Sequence, residues 1–384
     1  MYSSVQQASF TDFTNQKANK VIGACVHCGF CLATCPTYQL LGDELDSPRG
    51  RIYLMQSALE DNQVSFDTLK HLDRCLTCRS CETTCPSDVE YSQLLEIGRG
   101  FLETKRPFWQ KSYRLFVRKF LTTPLLFKPV GYFFRHSGKV GKKLKTENSV
   151  RKVLLLGGCV QPTLAPNINH SINNILAKLN ISVVESPQSQ CCGAIDQHLA
   201  ASKEAIRKAK SNIDAWQWQL EDGAEVILSS ASGCGVMVKD YPKLFDKKDG
   251  YHTKALFVAS HTQDIAEFLL KEDLSQLRLK EKNISYHEPC TMQHGQQLAG
   301  VVESLLGQFG YTQAPVKDAH LCCGSAGTYS IFQPKLAKEL RSNKITHLTK
   351  SNQEMIVTSN IGCLMYLQKG CSIPVKHWVE LLDG

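Results

Sequence analysis

The chain lacks the features that would direct it across or into a membrane. Its first twenty residues contain no apolar core of a secretory signal peptide. No uninterrupted apolar run reaches the roughly 18 residues that a membrane-spanning helix needs. We therefore expect no signal peptide, no transmembrane helix and a reducing compartment, where clustered cysteines indicate metal or redox chemistry rather than disulfides.

Sequence motifs of several enzyme classes are also missing. No GxGxxG stretch follows a predicted strand, so we expect no FAD or NAD on this chain. Neither the GxSxG motif of hydrolases nor the HExxH motif of zinc proteases occurs. Hydride chemistry would then belong to a partner that carries the cofactor.

One segment has no acidic residue. Between positions 104 and 146 there are twelve Lys or Arg and no Asp or Glu, whereas the rest has 32 basic and 36 acidic residues. Nine aromatic residues interleave with these charges. We predict a connector at 105–150 that contacts a membrane surface through 105–145, with Pro124 and Pro129 interrupting any long helix. A linker packed on partner subunits is the alternative, and the neighbouring cysteine motifs disfavour nucleic acid.

Cysteine is abundant, with 17 residues in 384. Eight of them form two CxxCxxCxxxCP runs, in which three thiolates bind one cluster and the last cysteine binds the cluster of the other run. Structural zinc leaves the third cysteine and the proline of each run unexplained. We predict two 4Fe–4S clusters. The expected ligands of the first are Cys25, Cys28, Cys31 and Cys85, and those of the second are Cys35, Cys75, Cys78 and Cys81.

The segments around these runs show helical patterns and no strand. Ser47-Pro48 is typical of a helix start, and Ile52, Met55 and Leu59 follow on one face. Further helices are expected after Ser65 and over 91–102. We predict a small all-helical two-cluster ferredoxin domain at 1–104.

The remaining residues alternate strand-like and helix-like segments in an order that occurs twice. The spacing from Cys159 to Cys290 equals the spacing from Cys191 to Cys322, and the spacing from Cys234 to Cys363 is only slightly shorter. We predict a duplicated α/β domain with a CCG triplet in each repeat, the first at 151–270 and the second at 271–384. Ligands of such sheets gather at the carboxyl ends of the strands.

Each repeat supplies four cysteines near predicted strand ends. One interpretation is a further cluster in the repeats, and the other is a set of small buried residues lining a docking or quinone pocket. His287, His294 and His320 lie beside them, either as a cluster ligand or proton donor or as interior residues. The candidate cysteines are Cys159, Cys191, Cys192, Cys234, Cys290, Cys322, Cys323 and Cys363.

Four stretches carry a resemblance to a known family: ACVHCGFCLATCPTYQLLGDELDSPRGRIYLMQ, HLDRCLTCRSCETTCPS, HLCCGSAGTYS and MIVTSNIGC. From about Asn19 to the C-terminus the chain resembles the iron–sulfur subunits of bacterial glycolate oxidase, also called glycolate dehydrogenase. This group is related to subunits of anaerobic glycerol-3-phosphate dehydrogenase and heterodisulfide reductase.

The resemblance implies a complex in which flavoprotein subunits oxidise glycolate to glyoxylate. D-lactate is a further substrate that the resemblance allows. This chain would carry the electrons towards a membrane quinone, as a peripheral protein on the cytoplasmic side of the inner membrane. The same role with glycerol 3-phosphate or another 2-hydroxy acid is an alternative. A cluster-based redox sensor is the alternative from another class.

The chain departs from the heterodisulfide-reductase pattern at one place. In the heterodisulfide reductases the last cysteine of a CCG repeat belongs to a CxxC pair. In this chain the positions three residues before and after Cys234 are Ala231 and Met237, and those around Cys363 are Asn360 and Tyr366. Each repeat is one thiolate short, which leaves a four-ligand cluster or no cluster.

Overall fold

The computed structural model describes residues 5, 7, 10–135, 149–184, 186–277 and 281–383. Residues 136–145 of the predicted membrane-contacting segment lie outside this range. None of the helices in the described part is long and apolar enough to cross a bilayer. The domain boundaries at 104, 150 and 270 stay predictions.

The N-terminal part is helical, with no strand between residues 10 and 135. Ser47 and Ser65 cap two helices, accepting bonds from the backbone N–H groups of Gly50 and Thr68 as the sequence predicts. The apolar faces of these helices form a common core with the apolar face of the first helix. This first helix was not predicted from the sequence. The helices are α1 (Asp12–Ala24), α2 (Pro36–Leu41), α3 (Pro48–Glu60), α4 (Phe66–Asp73), α5 (Ser80–Thr83) and α6 (Tyr91–Lys105), with 3₁₀ turns at Phe30–Leu32 and Glu44–Asp46.

The connector forms two helices, α7 (Phe108–Thr122) and α8 (Pro124–Phe133). Pro124 separates them as predicted, because it stands at the first helical position of α8. The prediction for Pro129 is wrong, since α8 continues through it. Pro129 removes one helical hydrogen bond, to the carbonyl of Leu125, and Leu125 is exposed to water that can bond this carbonyl.

The rest of the described chain contains two four-stranded parallel sheets with helices packed around them. Their strand orders, β2-β1-β3-β4 and β6-β5-β7-β8, are the same, so the predicted duplication of an α/β unit is confirmed. The strands are β1 (Arg151–Leu155), β2 (Ile181–Val184), β3 (Ala224–Ser229), β4 (Thr262–Asp264), β5 (Lys282–His287), β6 (Tyr311–Gln313), β7 (Met355–Thr358) and β8 (Val375–His377).

Three strands escape the sequence analysis, because β4, β6 and β8 have three residues each and show no periodicity. The helices of the first repeat are α9 (Gln161–Leu164), α10 (Pro166–Lys178), α11 (Ala194–His198), α12 (Ser202–Glu221), α13 (Ser232–Lys239), α14 (Gly250–Ser260) and α15 (Ile265–Leu269). Those of the second are α16 (Val301–Gln308), α17 (Tyr329–Phe332), α18 (Pro334–Leu348), α19 (Ile361–Gln368) and α20 (Trp378–Asp383). A 3₁₀ turn at Tyr241–Leu244 and a π-helix at Thr291–Gly295 complete the list.

The two repeats pack against each other. One hydrophobic core contains residues of both sheets. The loops that follow β3 and β7 touch, since Asn360 Nδ2 donates to Ser232 Oγ at 3.0 Å. His377 Nε2 lies 2.9 Å from the carbonyl oxygen of Ser230. The cysteines that follow β3 and β7 therefore lie in neighbouring parts of the molecule.

The CCG turn of the second repeat leaves no room for a side chain at its glycine. Gly324 has a φ of +85°, and a Cβ atom there would lie 2.6 Å from the carbonyl oxygen of Ala337. We expect Gly324→Ala to cost about 1–3 kcal/mol of stability and to lower the midpoint of heat unfolding by about 2 °C or more.

Gly307→Ala is the matched control, because Gly307 lies in α16 with open space around it and no positive φ. Its midpoint should stay the same or rise slightly. Equal midpoints for the two variants, measured by circular dichroism under anaerobic conditions, would contradict the close approach of α18 to the CCG turn.

Candidate functional site

The eight cysteines of the two runs line two cavities. One cavity, of about 440 Å³, is lined by the four predicted ligands of the first cluster and by Cys81. The other, of about 400 Å³, is lined by the four predicted ligands of the second cluster. The last cysteine of each run therefore lies in the cavity of the other run, as the spacing predicts.

Both cysteine loops have the same backbone conformation. Residues with positive φ stand before and after the second cysteine of each run, at His27 and Gly29 in the first and at Thr77 and Arg79 in the second. Left-handed backbone is uncommon outside glycine, and three of these four residues are not glycine. This conformation curls each loop around its cavity. The two runs therefore share their backbone conformation as well as their cysteine spacing.

A buried ion-pair network borders the second cavity. Asp46 is fully buried between Arg51, at 3.1 Å, and Arg74, at 2.7 Å. Arg51 also donates to the sulfur of Cys35 at 3.9 Å. The network therefore places a buried positive charge beside one predicted ligand, although the sequence analysis did not single out Arg51.

Two hydroxyl groups also reach predicted ligand sulfurs. Tyr91 donates to Cys75 at 3.6 Å, and the hydroxyl of Thr37 lies 3.3 Å from the sulfur of Cys35. Burial raises the pKa of the Cys78 thiol well above its usual range, and the nearby thiol of Cys290 raises it further. Such thiols stay protonated unless a cationic centre binds them, because metal binding displaces the proton.

The four cysteines of the first CCG repeat meet in one group. Cys159 adjoins Cys191, Cys191 adjoins Cys192, and Cys192 adjoins Cys234, each thiol shifting the pKa of its neighbour. They belong to a hydrophobic cluster whose members all come from residues 154–258. The neighbouring thiol of Cys159 lowers the pKa of Cys191 well below its usual range.

The second repeat has a corresponding group with a different neighbour. Cys290 adjoins Cys322, Cys322 adjoins Cys323, and Cys323 adjoins Cys363, each thiol shifting the pKa of its neighbour. Cys290 and Cys322 share an apolar cluster with Cys78, a predicted ligand of the second cluster. The second CCG group therefore adjoins the second cavity.

Each thiol group has a buried lysine beside it that the sequence analysis missed. Lys208 pairs with Asp196 at 2.6 Å near the first group, and Lys344 donates to the carbonyl oxygen of Asp318 at 2.7 Å near the second. Charged residues on helices α12 and α18 look like ordinary surface positions in the sequence. Their burial depends on tertiary packing, so no local signal reveals them.

The candidate histidines have different surroundings. His294 lies 2.9 Å from the Thr83 hydroxyl and 3.4 Å from the carbonyl oxygen of His320, so it links the second repeat to the helical part. Burial lowers the pKa of His294 and of His320. Burial lowers the pKa of His287 well below its usual range, which makes its ring neutral at ordinary pH.

The donor sets fit iron–sulfur clusters. Each cavity beside the cysteine runs is lined by its four predicted sulfur ligands, and a buried cation and hydroxyl donors lie beside the second. Thiolate sulfur is the donor that iron–sulfur clusters take. When bound, such clusters accept and release single electrons, while the protein supplies the ligands and excludes water.

Comparison with known proteins agrees with this chemistry. Residues 22–89 match the family of 4Fe-4S dicluster domains, and residues 153–239 and 284–368 each match the cysteine-rich domain family. The chain is therefore an iron–sulfur protein that joins a dicluster ferredoxin domain to two cysteine-rich repeats, and the predicted fold class is confirmed.

Relatives identify the family more closely. The chain is 46% identical to the glycolate oxidase iron-sulfur subunit of Escherichia coli K12 over 96% of its own length and 95% of the relative. It is 27% identical to the probable glycolate oxidase iron-sulfur subunit of Bacillus subtilis, over 90% and 88%. Lactate utilization protein A of Exiguobacterium is 26% identical, over 60% of this chain and 96% of that protein. This chain belongs to the family of glycolate oxidase iron–sulfur subunits, which are electron-transfer subunits of oxidoreductase complexes.

The Asp46 network provides a test of the site's architecture. Asp46→Asn leaves Arg51 buried without its counter-charge, and we expect α3 to lose about 3 kcal/mol or more of protection against opening. Hydrogen exchange of the α3 amides, followed by mass spectrometry, measures this loss.

Glu44→Gln serves as the comparison. It breaks the solvent-exposed pair between Glu44 and Arg49, which should cost less than about 1 kcal/mol. If both variants changed the hydrogen exchange of the α3 amides to the same small extent, this would contradict the role of the buried Asp46 network in positioning the second cavity.

Proposed function

We propose that this chain holds two 4Fe–4S clusters in the cavities of its cysteine runs and carries electrons from a flavoprotein partner that oxidises glycolate. The observation that carries this is the crossed lining of the two cavities, in which Cys85 faces the first run and Cys35 the second. The relatives named for glycolate oxidase support the substrate of the partner. The relatives named for lactate utilisation favour lactate as a second 2-hydroxy acid.

The two cavities differ in ways that suit a directed path. Cys28 is exposed, whereas Cys35 and Cys75 are buried. Arg51, Tyr91 and Thr37 direct a positive charge or hydroxyl groups at the sulfurs of the second cavity. Hydrogen bonds and charge beside the sulfurs favour the reduced state of a bound cluster. Electrons would therefore enter by the exposed first cavity and move towards the second.

The second repeat lies at the end of this path. Cys78 of the second cavity packs with Cys290 and Cys322. We place the exit of electrons, towards a membrane quinone, on this side of the molecule. The docking surface for the flavoprotein would then lie near Cys28 and the neighbouring exposed side chains of Val26 and Phe30.

The connector provides a surface for the membrane. Helix α8 has only Phe127 and Gly131 buried among its residues, while apolar side chains cover its exposed faces. Lys105, Lys119 and Lys128 of the connector are exposed. The most exposed apolar residues of α7 and α8 are Phe108, Trp109, Phe116, Leu125, Tyr132 and Phe133. An apolar patch with cations at its edge suits the interface of an anionic bilayer, here the cytoplasmic face of the inner membrane.

Among the connector's cations, Arg106, Arg114 and Arg118 form ion pairs inside the protein. Arg114 pairs with Glu103 at 3.2 Å, and Arg118 with Asp196 at 3.1 Å. These pairs hold α7 on the helical part and on the first repeat. Membrane contact through this segment therefore depends on the lysines and the apolar side chains, and charge removal at Arg114 or Arg118 would disturb the fold instead.

Crossed ligation gives the test of the clusters. The two cysteine runs of the reconstituted wild-type chain should account for about eight irons, and Cys35→Ser and Cys85→Ser should each lose about four of them if one cluster is lost. Cys85→Ser should lose the same electron paramagnetic resonance signal as Cys25→Ser, and Cys35→Ser the same signal as Cys75→Ser. Cys371→Ser, a cysteine outside both runs, should keep all signals.

Crossed ligation would be refuted if the signals paired within each run, so that Cys85→Ser lost the same signal as Cys75→Ser.

The complete complex, with its flavoprotein subunits, tests the function. Glycolate should reduce the clusters of the wild-type chain within one turnover, and the electron paramagnetic resonance signals of the reduced clusters should then appear. Reduction by glycerol 3-phosphate but not by glycolate would refute the assigned substrate.

The membrane surface is tested by placing charge on α8. Leu125→Glu with Phe133→Glu should weaken co-sedimentation of the complex with phosphatidylglycerol vesicles at least about tenfold, because two apolar contacts are lost. Trp218→Glu, at an exposed position of α12, should bind as the wild type does. Unchanged vesicle binding combined with loss of the flavoprotein from the complex would assign this patch to the partner instead.

A further inference from the structure

His287 occupies an unusual position for a histidine. It ends β5, is buried, and has a ring nitrogen within 4.8 Å of the sulfurs of Cys323 and Cys363. Its Nε2 atom has no hydrogen-bond partner in the described part of the chain. A buried polar atom without a partner is costly, so its retention calls for a ligand.

The sulfurs around His287 form a continuous set of donors. Cys290, Cys322, Cys323 and Cys363 adjoin one another in that order, close enough for each thiol to shift the pKa of the next. The backbone N–H of Gly324 donates to the sulfur of Cys322 at 3.5 Å. The positive charge of Lys344 lies close enough to favour the thiolate forms of the group. The pKa of each of the four thiols nevertheless lies above its ordinary value, because contacts between the thiols and their burial outweigh the lysine, so a bound metal would have to displace their protons.

We propose that His287 and the four cysteines of the second repeat bind an iron–sulfur centre of mixed ligation, with the imidazole as its nitrogen ligand. Three of these donors, His287, Cys323 and Cys363, have ligand atoms within 4.8 Å of one another, and Cys290 and Cys322 adjoin them. A zinc ion would need four of the five side chains, so the metal content distinguishes zinc from a cluster. Histidine replaces cysteine on iron in some clusters, so a mixed donor set is chemically sound. The inference deepens the proposed function, on which its redox role rests, because it adds a centre beyond the two cysteine runs.

The first repeat lacks this arrangement. Leu156 precedes Cys159 by the same spacing that separates His287 from Cys290, and a leucine cannot bind a metal. The structure thus distinguishes two repeats that share their four cysteines, and it assigns the nitrogen ligand to the repeat that touches Cys78. A neutral imidazole brings less negative charge than a thiolate, which favours the reduced state of the centre.

Three variants of the tag-free full-length chain test the site after reconstitution with iron and sulfide. His287→Cys keeps a donor and should keep the wild-type iron content, but it should lose the ¹⁴N coupling that pulsed electron paramagnetic resonance detects at the reduced centre. His287→Leu, which copies Leu156 of the first repeat, should lose iron as well. His294→Leu removes a neighbouring histidine that contacts no thiol of the group, and it should keep the coupling.

The outcomes separate this inference from the proposed function. A ¹⁴N coupling that persists in His287→Cys, or an iron content that His287→Leu leaves unchanged, would overturn the inference. Zinc in place of iron at this site would also overturn it. If the signals of the cysteine runs are intact while the coupling is missing in the wild type, this inference alone fails. Absence of the signals of the runs would refute the proposed function itself.

Discussion

The fold of the helical part depends on two cysteine runs, well separated along the chain, that contribute to each other's cavities. Such an exchange requires the intervening helices to return the chain to its starting point. Helices α3 and α4 do this, and Asp46 ties them together, since Arg51 comes from the first and Arg74 follows the second. The carboxylate at the centre of this network therefore positions both runs. The cavities, the loops around them and their contact with the second repeat follow from it.

The sequence carries much of this arrangement because spacing encodes it. Two identical cysteine runs specify two cavities and the exchange of their last ligands. The constant offset between the cysteines of the two repeats likewise specifies a duplicated sheet, and the structure returns the same strand order twice. Ser47 and Ser65 mark helix starts because serine is a preferred N-cap residue, and its hydroxyl accepts a local backbone hydrogen bond. Patterns of this kind are local or periodic, and both kinds can be read without coordinates.

What escaped prediction depends on tertiary contacts. Arg51, Lys208 and Lys344 are charged residues in helices, and nothing near them in the sequence says that they are buried. The expectation for Pro129 failed because one lost hydrogen bond at an exposed turn does not end a helix. His287 could be listed as a candidate from its place beside Cys290. Its proximity to Cys323 and Cys363 arises only when β5 and β7, which are distant in the sequence, pair in the sheet.

The packing of Cys78 against Cys290 and Cys322 also constrains how the protein matures. Cys322 and Cys323 are buried, and Leu76 and Tyr329 close the cluster around them. If these inner thiols bind the proposed centre, docking of the helical part on the second repeat narrows the route by which metal reaches them. Loading of the inner thiols would then precede docking, or the contact would open again to admit the metal. Biogenesis of this subunit would thus have an order, and an assembly factor that delivers metal would recognise the undocked chain.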